Sequence, residues 1–118
     1  MKLSHLIVPL IVLGGFLPCP ALGQTNRQLA DGAYVEFEAA DKKMNAAYQK
    51  LLAVLDDEGK STLREAQRAW IAWRDAQAEF DSHQFGSGKL RPLERNGSLR
   101  VSTEARTARL LEDYKRFK

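Results

Sequence analysis

Seven apolar or small residues, Ala33, Phe37, Ala40, Met44, Ala47, Leu51 and Val54, follow one another at steps that alternate between four and three. That period matches one face of an α-helix and no face of a strand, whose buried positions must recur every second residue. Tyr34, Tyr48 and Leu55 widen the stripe, and the stretch Glu36-Phe37-Glu38-Ala39-Ala40 breaks any strict alternation. The run Asp56-Asp57-Glu58-Gly59 then marks a helix-terminal turn, with Gly59 suited to the left-handed position after a helix.

A second helix is predicted to open at Thr62. Glu65 stands three residues on, so the pair can form a capping box in which each side chain satisfies a backbone amide of the other. Leu63, Ala66, Trp70, Trp73 and Phe80 follow at helical steps, and the helix should run to about Ser82. Trp70 and Trp73, with Phe80 further along the same face, are read as core, because each tryptophan offers roughly 150–250 Å² to bury; a row that stacks on sugar rings is the alternative. Between residues 84 and 97, Gly86, Gly88, Pro92, Asn96 and Gly97 interrupt the pattern and predict a long loop. A third helix is expected from Ser98 as N-cap through Leu99, Thr103, Arg106, Leu110 and Phe117. The fold class is therefore all-α: a small three-helix domain, its first two helices a long antiparallel hairpin, followed by a glycine-containing loop and a closing C-terminal helix.

The start of the chain has a different character. Lys2 precedes an apolar run over residues 6–17 and the small-residue exit Ala21-Leu22-Gly23, the pattern of a secretory signal peptide cut near Gly23. The run is too short to span a bilayer, which takes about 20 residues. Residues 1–23 are thus predicted as signal peptide and residues 24–118 as a single domain, periplasmic or secreted, without stable membrane insertion. Cys19, the sole cysteine, would leave with the leader; lipid attachment there is the alternative, and Pro18 beside it fits a lipid-attachment box poorly. Without cysteine in an oxidising compartment, packing alone must hold the domain.

The composition supplies little catalytic material. His83 is the only histidine beyond the leader, and its neighbours Asp81 and Ser82 diverge from it around the helix. No histidine pair or cysteine is left for a metal, and the acidic run 56–58 lacks the alternating ligand spacing of a calcium loop. Gly86-Ser87-Gly88 lacks the lysine–serine pair of a phosphate loop. Asp75 and Glu79 stand one helical turn apart, which needs no glycosidase to explain it. The reading is a non-enzyme without cofactor or metal. Export and the absence of interleaved exposed aromatics also argue against nucleic acid as partner. Charge is uneven: residues 24–88 carry 8 basic and 11 acidic side chains, residues 89–118 carry 9 and 4. The basic end suits an anionic partner or is a solvated helix surface.

The run Ala66-Gln67-Arg68-Ala69-Trp70-Ile71-Ala72-Trp73-Arg74-Asp75-Ala76 resembles the signature of the LprI-type lysozyme-inhibitor N-terminal domain, a family of small exported helical proteins. Ala39-Ala40-Asp41, Met44-Asn45 and residues 48–52 resemble its first helix; Pro92, Gly97-Ser98-Leu99, Thr103, Arg106 and Leu110 resemble its closing segment. The resemblance implies that Trp70, Trp73, Arg74, Asp75, Pro92, Gly97, Thr103 and Arg106 form the structural motif. Relatives commonly carry cysteines where this chain has Gly32, Ala78 and Ser98; the latter two positions would pair, so the loop here should be looser. The implied partner is lysozyme, bound and inhibited. Lysozymes work through carboxylates in an open cleft, and the element expected to enter it is the segment 89–95, with Lys89, Arg91 and Arg95. A non-enzymatic envelope module that binds another protein or an anionic polymer is the alternative.

Overall fold

The computed structural model describes residues 23–118; the leader assigned to residues 1–23 lies outside it except for Gly23. Three α-helices of equal length follow one another: α1 (Asn26–Leu52), α2 (Asp57–His83) and α3 (Arg91–Phe117). Each has 27 residues and so spans about 40 Å. The described residues contain no strand, in keeping with the all-α expectation, and none of the three helices is long and apolar enough to cross a membrane.

Local chemistry sets the helix ends. Thr25 caps α1: its side chain accepts from the Gln28 amide at 3.2 Å, and the Gln28 side chain accepts from the Thr25 amide at 2.9 Å. The helix ends in i→i+3 bonds from Val54 and Leu55 to the carbonyls of Leu51 and Leu52. The next residue, Asp56, caps α2, accepting from the Gly59 amide at 2.8 Å. Asp57 and Glu58 then sit in the first turn, where the helix dipole favours negative charge. The second helix therefore begins at Asp57, well before Thr62, and Gly59 lies in its first turn rather than ending α1. Thr62, with no free amides in reach, donates back to the carbonyls of Glu58 and Gly59.

The connection after α2 is also shorter than expected. Residues 84–90 form a chain of tight turns, with amides of Phe85, Gly86, Gly88 and Arg91 donating to carbonyls three residues back. Gly86 takes φ +55°, a conformation costly for any residue with a side chain. A Cβ on Gly88 would lie 2.7 Å from the Phe85 carbonyl oxygen. Pro92 stands at the start of α3, where its fixed φ fits and its missing N–H is not needed. Pro92, Gly97 and Ser98 are thus helical, correcting the loop read over 84–97, and Ser98 is not a cap: its hydroxyl donates to Asp81 of α2 at 2.6 Å. That bond lies one turn beyond Ala78, which is completely buried. The connection is close-knit rather than loose, despite lacking cysteine at 78 and 98.

Cross-links between helices give the topology. Asn96 reaches the Ala30 carbonyl, Arg100 pairs with Glu36, and Lys50 lies over the Tyr114 ring, so α1 and α3 run parallel. α2 runs antiparallel to both, as Glu79 with Arg95 and Gln67 with Arg106 require. α3 packs against both other helices. α1 and α3 pack most closely, while α1 meets α2 through long side chains. α1 and α2 form the expected antiparallel hairpin, but the closest packing of α1 lies elsewhere: its small residues Ala30, Ala40 and Ala47 admit a neighbouring backbone, and that neighbour is α3. Met44, Ala47, Leu51 and Leu110 form the apolar centre, flanked by Tyr48, Leu55, Leu63, Trp70 and Tyr114. Trp73 and Phe80 are not in it. They are 52% and 73% exposed, because the face of α2 turned inward carries Gln67, Arg74, Ala78 and Ser82 instead.

Candidate functional site: a braced interior and a basic end

The motif residues of α2 meet in a polar layer across the bundle. Arg74 is nearly buried, and its guanidinium donates to Asp41 of α1 at 3.2 Å and pairs with Asp75 at 3.0 Å. The same guanidinium stands 5.2 Å from the centroids of both Phe37 and Trp70. Arg106 of α3 lies over the Trp70 ring at 5.7 Å, so one indole lies within range of two cations. Arg106 also donates to the Gln67 side-chain carbonyl at 3.0 Å, while the Gln67 amide donates to the Met44 sulfur. Burial holds the Arg106 pKa below its ordinary value, opposed by the nearby Asp113 carboxylate. All three helices are tied at this layer, and no buried side-chain polar atom among the described residues lacks a partner. Thr103, fully buried, donates to the Leu99 carbonyl within its own helix.

Of the residues expected to bind a partner, Lys89 lies exposed in the connection, whereas Arg91 and Arg95 belong to the first two turns of α3. Both arginines point to one carboxylate, Glu79 of α2. Arg91 also donates to the Gly86 carbonyl at 2.9 Å, which braces the turn. Lys89 and Pro92 border an open groove of about 610 Å³ with Arg27 and Asp31 of α1. The basic end thus carries Arg91 and Arg95 on Glu79, and Arg27 and Lys89 along the groove. Arg27 and Glu79 were not among the expected residues; their link to positions 89–95 is purely tertiary and leaves no periodic signal.

The Arg95 hydrogen bond, with the charges of Arg95 and Arg91, holds the Glu79 carboxyl below its ordinary pKa against partial desolvation. Asp113 loses hydration on burial, which would raise its pKa, but hydrogen bonds and charge from Arg116 and Arg109 outweigh this and lower it. A depressed folded-state pKa stabilises above the unfolded value and is lost as pH falls through the folded one. Thermal denaturation from pH 7 downward should show stability holding to about pH 4 and falling below it. Asp113→Asn should flatten that fall; an unchanged acid limb would contradict the assignment.

No group of three or more histidine, cysteine, aspartate or glutamate side chains among the described residues could hold a metal. The arrangement defines a small all-α protein whose charged interior is spent on bracing and whose exposed cations gather at one end. Residues 19–110 match the family Lysozyme inhibitor LprI, and the chain belongs to it. That is a family of inhibitors, not of catalysts. An uncharacterized protein of Rhizobium meliloti (strain 1021) is 31% identical over 90 residues, covering 65% of this chain and 65% of its own length. The chain therefore spans slightly under two thirds of that relative. No solved structure matches.

Proposed function

We propose that the protein is exported, loses its leader near Gly23, and inhibits lysozyme by presenting Lys89, Arg91 and Arg95 to the enzyme's catalytic carboxylates. The reading is supported by family membership and carried by one arrangement: Arg91 and Arg95 already share a carboxylate, Glu79, on an exposed surface. Exposed ion pairs of this kind contribute little to stability, so a target carboxylate can take the place of Glu79 at small cost. Arginine's planar fork suits that exchange, since it can meet a carboxylate through two parallel hydrogen bonds. Motif residues Trp70, Arg74 and Arg106 tie together the helices that carry the basic end, Asp75 pairs with Arg74, and Thr103, Pro92 and Gly97 belong to α3 itself.

The test is lysozyme's clearing of a peptidoglycan suspension at increasing inhibitor. Lys89→Ala, Arg91→Ala and Arg95→Ala combined should weaken inhibition at least tenfold, as loss of interfacial charge pairs does. Glu79→Gln, which removes the internal competitor, should preserve or tighten it. Full inhibition by the triple variant would remove the basic end from the mechanism. Loss of all binding above moderate salt would favour an anionic envelope polymer as the partner instead.

A further inference from the structure

The outer face of α2 carries a second helical stripe that the bundle does not use. Thr62, Ala66, Ala69, Trp73, Ala76 and Phe80 recur at steps of four and three, and every one of them is exposed. The stripe extends about 27 Å along the helix and contains no charged residue. Trp73 is 52% and Phe80 73% exposed, although a small domain gains from burying both. Val101 of α3, 57% exposed, lines a groove with Phe80 and widens the patch at that end.

We propose that this face joins two copies of the chain through an antiparallel α2–α2 contact about a two-fold axis. Size complementarity gives the register. With Trp73 set opposite Ala69 of the second copy, Phe80 falls opposite Thr62 and Ala66 opposite Ala76, so each ring meets a small residue and all six positions are used. A two-fold contact requires such self-complementarity, because the same patch serves on both sides.

The area is in the range a dimer needs. The exposed parts of the two rings amount to roughly 250 Å² per copy, taking about 200 Å² for each buried aromatic side chain. The alanines, Val101 and the flanking charges extend this toward the roughly 600–800 Å² per partner of a modest stable interface. This proposal does not rest on lysozyme inhibition and can fail or hold without it.

Sedimentation equilibrium of the purified chain tests it. At concentrations on the order of tens of micromolar the wild type should sediment as a dimer. Trp73→Glu should raise its dissociation constant at least tenfold with the far-ultraviolet circular dichroism unchanged, and Val35→Glu, on an exposed position of α1, should leave the dimer intact. Should Trp73→Glu fail to fold, fluorescence decides: wild-type emission should shift to the blue with rising concentration as Trp73 is buried, and Trp73→Phe should remove the shift. A monomeric wild type, or a Trp73→Glu variant that still dimerises, overturns the proposal. So does a monomer whose lysozyme binding is lost on Trp73→Glu, since the face would then belong to the enzyme.

Discussion

Replacing Leu110 by alanine should destabilise the protein by about 3 kcal/mol, the middle of the range for a buried leucine whose cavity cannot collapse. Leu110 is completely buried and belongs to a small apolar centre with Met44, Ala47 and Leu51. Its neighbours offer little to refill the space, for two of the helices there are held by polar braces rather than by large apolar side chains. In a domain of this size the loss corresponds to a fall in melting temperature of roughly 15 °C. Urea denaturation followed by circular dichroism measures it. A cost below about 1 kcal/mol would mean that the helices close up around the gap and that the centre does not carry the stability assigned to it.

The second large effect is expected at Arg74. Its removal strands Asp41, takes a cation from both Phe37 and Trp70, and deletes a nearly buried stem that fills the space between α1 and α2. Breaking a buried pair from one side costs about 3–5 kcal/mol. The Asp41 side chain is 35% exposed and regains water, so Arg74→Ala should fall near the lower limit, about 3 kcal/mol. Arg74→Met keeps the apolar stem and should recover part of that. Arg74→Lys keeps the charge but not the flat guanidinium that faces two rings and a carboxylate, and should recover less than a conservative exchange normally does. If lysine substitutes without loss, the planar geometry is irrelevant and charge alone suffices. The two sites lie on different helices and share few partners, so their effects should add to within a few tenths of a kcal/mol.

The α1 stripe was legible because its seven positions keep one period and do face the bundle interior at Ala40, Met44, Ala47 and Leu51. Periodicity names the apolar face of a helix but not the neighbour that covers it, which is why the close partner of α1 proved to be α3. Helix starts were misplaced where two signals competed. Thr62 and Glu65 spell a capping box, yet Asp56 stands at the end of the preceding turn and takes the Gly59 amide first. Pro92 and Gly97 read as breakers, but proline is at home in a first turn and a single glycine inside a long helix costs only about 1 kcal/mol. The largest misreading concerns which α2 face is inside. Apolar spacing selected Trp73 and Phe80, whereas the bundle takes Gln67, Arg74 and Ser82 inward, a choice stabilised by cross-helix bonds that no local pattern announces. For the basic end, the cations were visible by composition, while the carboxylate between them comes from the neighbouring helix.

Titration calorimetry of the purified protein into lysozyme, at low and at moderate salt, tests the central claim most directly. Saturable binding of one chain per enzyme that survives moderate salt and disappears with the Lys89, Arg91 and Arg95 replacements is the expected result. Absence of heat at any protein concentration, together with undiminished lysozyme activity, would contradict it.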